Sequence, residues 1–299
     1  MHLIIKDGNI TRISVVEDAS LIERLKYIVR QSQVRIQTLW RFRELVQNLV
    51  LRDLKVRYKN SMLGVLWSLL NPLLMMMVFT AVFTVMRGTQ IANFPAFVLA
   101  GLLPWQFFQD SIGSAAGTII GNGHLINKVY FPREILIIAN VISNLVNFLL
   151  ALLVLFPILF LFDISLTYWA FLLPVMMVIQ IIFILGISFI VATANVFYRD
   201  VGMIVSVALL ASFFLTPVFY PLAQLPQSYL LLGIDWDIWR LMYYLNPMAS
   251  IIENYRRILF YGTQPAFPFV FRTFLTALVF LGIGLFTFYR YHHRFGEEV

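Results

Sequence analysis

The sequence predicts an all-α integral membrane protein with six transmembrane helices per subunit. Of its 299 residues, 60% are hydrophobic and only 12% are charged, whereas about a quarter of the residues in soluble domains are charged. Long, almost uncharged segments separate the charged ones. The length of each uncharged segment is close to or above the roughly 20 apolar residues that span a bilayer. The chain has no cysteine, which excludes disulfides and thiolate chemistry.

The first 36 residues form a cytoplasmic N-terminal extension ahead of the apolar region. Within it, residues 3–16 ("LIIKDGNITRISVV") predict two short strands around Asp7-Gly8, and residues 20–35 are typical of a helix. The sequence leaves open whether the extension is a flexible tail or a small docking element. No signal peptide is expected, because the first long apolar run begins near Ser61.

Residues 37–60 predict an amphipathic helix in the plane of the cytoplasmic membrane surface, followed by a basic segment. Apolar residues recur at helical spacing from Leu39 to Val50, and charged or amide residues take the other face. Basic side chains at such a surface attract anionic head groups. The residues expected to meet lipid head groups are Trp40, Arg41, Arg43, Arg52, Lys55, Arg57 and Lys59.

Six apolar segments predict the six spans. They are 61–86, 95–121, 135–162, 168–195, 201–219 and 273–289, followed by a cytoplasmic tail at 292–299. Pro72 is expected to kink the first span. Asp110 lies near the middle of the second. Because a lone carboxylate is costly in hydrocarbon, Asp110 is expected to face the bundle interior, as a contact between helices or as part of a substrate path.

The distribution of Lys and Arg predicts that both termini are cytoplasmic. With the N-terminus inside, 17 of the 22 basic residues fall in the inner segments 1–60, 122–134, 196–200 and 290–299. Basic residues close to the spans set the orientation, and six of them lie between 41 and 60. The net charge of +7 therefore favours membrane lipids, and not nucleic acid, as a partner.

A long outer loop, 220–268, joins the last two spans and predicts amphipathic helices. Asn246 is expected to cap a helix with Pro247 in its first position, Glu253 and Arg257 are spaced for an ion pair, and Gly262 is expected to end the helix. The candidate outer gate residues are Trp236, Trp239, Tyr243, Tyr244, Asn246 and Tyr255. The sequence leaves open whether they form an aromatic belt or a lid over a translocation path.

The chain lacks the motifs of an enzyme. It contains no Gly-Lys pair and therefore no common nucleotide phosphate loop. Its four histidines have no metal-binding spacing, and no nucleophile-base motif is present. We therefore expect no catalytic site and no cofactor on this chain, and an energy source on another chain.

Two stretches of the sequence resemble a known family. They are "RDLKVRYKNSMLGVLWSLLNPLL" at 52–74 and "GLLPWQFFQDS…NGHLINKVYFPREIL" within 101–136, and "LNPM" at 245–248 also fits this family. It is the permease subunit of ABC-2-type bacterial exporters of O-antigen, capsule or teichoic acid, and the resemblance covers about 38–291. It implies an inner-membrane homodimer with a six-helix domain at 61–291. It also implies two cytosolic ABC ATPase subunits, which hold ATP and Mg, and a lipid-linked polysaccharide as substrate.

The resemblance also assigns residues 122–134 as the coupling loop that docks on the ATPase. The expected coupling residues are Asn127, Lys128, Tyr130, Phe131, Pro132, Arg133 and Glu134. Tyr130 and Phe131 are expected to fill an apolar pocket, Pro132 to fix the first turn of the third span, and Glu134 to suit a helix N-terminus. A simple interfacial anchor with a positive-inside signal is the alternative.

Three other functions stay open at this stage. The same architecture also suits export of a drug or a lipid. A stand-alone secondary carrier or channel is a second alternative, although Asp110 is the only clear ionisable residue within a span. A membrane-embedded glycan-modifying enzyme is the third, and the missing acid-base residues disfavour it.

Overall fold

A computed structural model describes this chain at residues 5–6, 9–10, 41–59, 61–87, 91–225, 229–231 and 234–298. The chain divides into two compact units, Met1–Leu45 and Val46–Val299. In the first unit, strands β1 (Ile5–Lys6) and β2 (Asn9–Ile10) pair antiparallel with Ile5 opposite Ile10. This pairing confirms the hairpin predicted around Asp7-Gly8.

Helices dominate the rest of the described chain. The α-helices are α1 (Arg43–Tyr58), α2 (Leu66–Arg87), α3 (Phe94–Gly121), α4 (Gly123–Lys128), α5 (Glu134–Leu161), α6 (Leu173–Phe197), α7 (Val201–Leu215), α8 (Ile238–Leu245), α9 (Pro247–Leu259), α10 (Phe267–Tyr291) and α11 (Phe295–Glu298). Short 3-10 helices occur at Tyr168–Leu172, Leu222–Gln224 and His292–Arg294. Strands β3 (Tyr229–Leu231) and β4 (Ile234–Trp236) form a second hairpin between α7 and α8.

Within the described part of the chain, four stretches are long and apolar enough to cross a membrane: Leu66–Thr84, Glu134–Leu161, Tyr168–Phe197 and Phe267–Glu298. They correspond to the predicted first, third, fourth and sixth spans, and the all-α membrane class is confirmed. The predicted second span is α3, which is less apolar. The predicted fifth span is α7, whose 15 residues cover only about 22 Å. Six spans therefore stay a prediction at these two helices.

The helix α7 ends at Leu215, four residues earlier than the predicted span. Thr216 follows with an extended backbone (ψ 140°) because it precedes Pro217, and a residue before proline is disfavoured in helical conformation. The chain then continues through 217–220 without helix, although these residues are mostly apolar. The apolar character of these residues predicted that they are buried, but it did not predict their backbone conformation.

Helix α3 lies at the centre of the second unit. It packs against α2, α5, α6, α7 and α9. The helix residues from Ala96 to Ala100 are almost fully shielded from solvent, and so is Trp105. A helix that contacts protein on most sides needs less apolar surface than one that faces lipid.

Helix α9 forms where the sequence predicts an amphipathic helix of the outer loop, and most of it is buried. Ten of its 13 residues are buried, and it packs against α3 and α10. The predicted local features are confirmed: the Asn246 Oδ1 accepts a hydrogen bond from the Ala249 N–H at 3.1 Å, and Arg257 Nε lies 3.2 Å from Glu253 Oε1. Local signals located the helix, but they did not show its surroundings.

Helices α6 and α10 approach each other closely at Gly186 and Gly284. A Cβ atom on Gly284 would overlap the carbonyl oxygen of Gly186 and lie 3.1 Å from the Phe189 Cβ. Small residues permit such close approach between membrane helices. Neither glycine can therefore gain a side chain without separating the two backbones.

We predict that Gly284→Ala destabilises the protein because α6 and α10 must move apart. Overpacking of this kind costs about 1–3 kcal/mol, which corresponds to a loss of about 5 °C in melting temperature. Thermal unfolding in detergent measures the effect. Gly282→Ala, two residues away with no atom within 4 Å of the added Cβ, is the control, and equal melting temperatures for both variants would contradict the prediction.

Candidate functional site

The candidate site is a cavity of about 970 Å³ in the second unit. The C-terminal end of α1 and the helices α2, α3, α5 and α7 surround it. Twelve polar residues line it: Arg57, Tyr58, Ser61, Ser68, Asn71, Gln106, Gln109, Asp110, Ser114, Asn144, Asn147 and Ser206. Aromatic rings come from Trp67, Trp105, Phe107, Phe148 and Phe213.

The lining is amphipathic and mostly uncharged. Amide and hydroxyl groups both donate and accept hydrogen bonds, so they suit a ligand rich in hydroxyls. The aromatic rings add large apolar faces beside them. The cavity therefore fits a polar, largely uncharged chain or an amphipathic molecule better than a small dissolved ion.

Arg57 and Tyr58 connect the end of α1 to the cavity wall. Arg57 Nη2 donates to Asn144 Oδ1 at 2.8 Å, and Tyr58 Oη donates to Asn147 Oδ1 at 2.7 Å. The Asn144 Nδ2 in turn lies 3.2 Å from Ser114 Oγ on α3. We call this the Arg57 end of the cavity.

The other residues of the predicted basic segment do not line the cavity. Arg52 donates to its neighbour Asp53, with Nη2 at 2.8 Å from Oδ1, and Lys55 and Lys59 are exposed. The structure thus separates Arg57 from the other cations of its segment, whereas the sequence treated them as one cluster. Arg41 and Arg43 are also exposed, and Trp40 lies outside the described residues.

Asp110 faces the cavity and not a packed contact between helices, so a place on a substrate path, the second of its two expected roles, stays a prediction. Its side chain is exposed and lines the cavity beside Gln109. The reason is the central position of α3, which packs against other helices on one side and borders the cavity on the other. Asp110 and Arg57, which the sequence assigned to different roles, therefore share one cavity.

An aromatic cluster adjoins the cavity at Phe213, away from Arg57. The ring of Phe219 lies 4.2 Å from that of Phe79 and 4.8 Å from that of Phe213. Phe213 itself lines the cavity, and its ring is 5.6 Å from Trp105. We call this the Phe213 end. Sequence reasoning missed the cluster because aromatic residues within spans carry no signal of which neighbours they meet.

Arg256 on α9 is the largest charged side chain in the core, at 0% exposure. Its Nη1 donates to the carbonyl oxygens of Pro217 (2.6 Å) and Tyr220 (3.2 Å), and its Nη2 donates to that of Val218. Burial lowers the pKa of Arg256 to about 10, so the guanidinium remains a cation at neutral pH. The sequence counted this residue only as an outer basic charge.

The candidate outer gate residues separate into two groups. Tyr243 stacks on Trp239 at 5.2 Å and contacts Tyr244 at 5.1 Å, so these three rings form one patch on α8. Asn246 caps α9 instead. Tyr255 is fully buried, which corrects its predicted place at a membrane boundary: it occupies the buried face of α9. The side chain of Trp236 lies outside the described residues.

The predicted coupling segment is partly anchored on its own chain. Tyr130 is fully exposed, whereas Phe131 is only 8% exposed, so Phe131 is not free to fill a partner's pocket. Arg133 Nη1 donates to the His292 carbonyl oxygen, and Glu134 Oε1 accepts from the Tyr289 hydroxyl at 3.1 Å. These contacts join the segment to the C-terminal end of α10.

The exposed face of the segment is consequently smaller than predicted. It consists of Asn127, Lys128, Val129 and Tyr130. Helix α5 begins at Glu134, so Pro132 precedes the helix and does not lie in its first turn. The expected acidic residue in the first turn, Glu134, is confirmed.

Comparison with known proteins places this architecture in one family. The sequence profile described as "ABC-2 type transporter" matches residues 44–260. An O-antigen export system permease protein, RfbA, from Myxococcus xanthus is 38% identical over 234 residues, 77% of this chain and 85% of that protein. One from Klebsiella pneumoniae is 33% identical over 247 residues, with 82% and 91% covered.

A more distant relative is the polysialic acid transport protein KpsM from Escherichia coli. It is 24% identical over 231 residues, which cover 73% of this chain and 81% of that protein. The profile match alone extends over more than half of the chain, from the first turn of α1 to the end of α9. The chain therefore belongs to the ABC-2 type transporter family.

Proposed function

We propose that the chain is the permease subunit of an ATP-driven exporter that moves a lipid-linked surface polysaccharide across the bacterial cytoplasmic membrane. The observation that carries this proposal is the cavity lining, which combines amide and hydroxyl groups with aromatic rings. Sugar hydroxyls can form hydrogen bonds with the amide and hydroxyl groups, and the faces of sugar rings can stack on the aromatic rings. The relatives named for O-antigen and polysialic acid support the same substrate class.

The active unit in this proposal is a homodimer with both termini in the cytoplasm. The cavity is bounded by α2 and α7, which expose apolar side chains such as Leu74, Met75, Val207 and Leu210. A second copy placed against these helices would enclose a path that one chain leaves open. The concentration of Lys and Arg in the predicted inner segments supports the orientation.

Energy for transport comes from two cytosolic ATPase subunits, which hold ATP and Mg. The face that Lys128, Val129 and Tyr130 expose supports docking at this segment, since an apolar ring flanked by a cation suits a protein interface. Because Arg133 and Glu134 are tied to the end of α10, a push on this face would act on α5 and α10 together.

The proposal is tested by reconstituting the chain with its candidate ATPase in liposomes. A lipid-linked polysaccharide should stimulate ATP hydrolysis and be delivered to the opposite side, where an added glycosidase digests it. Stimulation by a drug or a phospholipid, with none by the polysaccharide, would favour the alternative cargo. Transport without any ATPase subunit would contradict the proposal and favour a stand-alone carrier.

We predict that Arg57→Gln reduces export more than Lys59→Gln, although both remove one positive charge. Each cation near an anionic membrane surface contributes about 1 kcal/mol of attraction to lipid, and both variants lose that. Only Arg57 also lines the cavity and bonds Asn144. Export of labelled polysaccharide, normalised to inserted protein, measures the difference, and equal losses would show that the cluster acts only as a surface charge.

We predict that Tyr130→Ala weakens ATPase binding while the membrane domain stays intact. Truncation of a central interface aromatic typically costs about 2 kcal/mol or more, roughly thirtyfold in affinity. Pull-down of the ATPase in detergent, beside a topology assay, measures it. Tyr198→Ala, an exposed tyrosine in the α6–α7 connection, is the matched control.

Phe131→Ala should behave differently, because it removes a buried side chain and therefore lowers thermal stability. If Tyr130→Ala retains full ATPase binding with normal topology, this segment is not the coupling element.

A further inference from the structure

The segment that follows α7 presents carbonyl groups to an apolar interior. Residues 217–220 are not helical, and unpaired backbone groups in hydrocarbon-like surroundings cost several kcal/mol each without a donor. The guanidinium of Arg256 supplies donors to Pro217, Val218 and Tyr220. One side chain thus satisfies three carbonyls of one short segment.

Two more contacts make this arrangement specific. The Arg256 Nε donates to the Phe97 carbonyl oxygen of α3 at 3.3 Å, and the guanidinium carbon lies 3.7 Å from the centre of the Phe97 ring. At the other end of α9, Asn246 Nδ2 donates to Thr216 Oγ1 at 2.9 Å. Helix α9 therefore holds the start and the middle of the segment against α3.

Gly101 provides the space that the guanidinium occupies. A Cβ atom at Gly101 would lie 2.5 Å from Nη2 of Arg256 and 3.0 Å from its Cζ. Gly101 lies inside the helix α3, where a glycine is normally unfavourable. The absence of a side chain at Gly101 thus makes room for the guanidinium of Arg256 and does not favour the helix itself.

The segment that Arg256 holds carries Phe219. The Phe219 ring packs between α2, at 4.2 Å from Phe79, and α7, at 4.8 Å from Phe213. Phe213 lines the cavity. The segment that the guanidinium contacts therefore carries an aromatic ring that packs beside the Phe213 end.

We propose that Arg256 is a positioning residue that keeps the Phe213 end of the cavity closed by fixing residues 217–220. Passage of a substrate through this end requires the segment to leave the guanidinium, so that Phe219 moves away from α2 and α7. The proposal rests on the proposed function in taking the cavity as the transport path. In this proposal, the stability of the closed state depends on one buried cation, Arg256.

The test uses the absence of native cysteine. Ser206→Cys places one thiol in the cavity wall of the full-length chain, and a membrane-impermeant maleimide is added to sealed vesicles of either orientation. With Arg256 intact, the thiol should react from one face only. Because each charge-assisted hydrogen bond lost shifts the equilibrium by roughly tenfold, Arg256→Met should raise labelling from the second face by at least about tenfold.

Gly101→Ala is the sharper variant, since it displaces the guanidinium without removing the charge, and it should have the same effect. Gly117→Ala, on the same helix with no atom within 4 Å of the added Cβ, should leave the labelling unchanged. Arg256→Lys should give an intermediate rate, because an ammonium group cannot reproduce the planar set of donors. Phe219→Ala should open the same end with Arg256 still bound.

Unchanged labelling from the second face in folded Gly101→Ala, Arg256→Met and Phe219→Ala proteins would overturn the proposal. Failure of the Arg256 and Gly101 variants to accumulate would assign the guanidinium to folding and would also overturn it. Because labelling reports closure whether or not any polysaccharide moves, a failed export experiment and a failed closure experiment remain distinguishable.

Discussion

The structure depends on how its backbone polar groups are satisfied where a helix ends inside an apolar bundle. Helix α7 stops at Leu215, because Thr216 precedes a proline, and the next carbonyls have no helical partners. A buried arginine on α9, Arg256, donates hydrogen bonds to these carbonyls. The burial of α9, the glycine in α3 that makes room for the guanidinium and the place of Phe219 all follow from this pairing.

The polar face of α3 forms a second constraint. A central helix that packs against α2, α5, α6, α7 and α9 can carry Gln106, Gln109 and Asp110, because a cavity and not lipid receives them. The same helix therefore supplies both the packed core and the hydrogen-bonding wall. This arrangement explains why the predicted span that carries these three polar side chains is also the described helix with the most buried residues.

Much of the fold was predictable because its signals are local. The apolar lengths located four spans, the Asn246-Pro247 pair located the start of α9, and Asp7-Gly8 located a hairpin. The candidate site was predictable only in part. Arg57 and Asp110 were singled out, but their meeting across 53 residues depends on tertiary packing, which periodicity does not encode. Tyr255 and Phe131 were misplaced for the same reason, because an aromatic residue in a loop suits a surface as well as a buried position.

The close contact between Gly186 and Gly284 has a mechanical consequence. It makes α6 and α10 a stiff pair, and the Arg133–His292 and Glu134–Tyr289 contacts fasten the start of α5 to the same pair. By contrast, α2 and α7 leave most of their apolar side chains exposed. In the proposed exporter, α5, α6 and α10 would therefore move as one body, and a force on the exposed coupling segment would shift them against α2 and α7 and so widen the cavity.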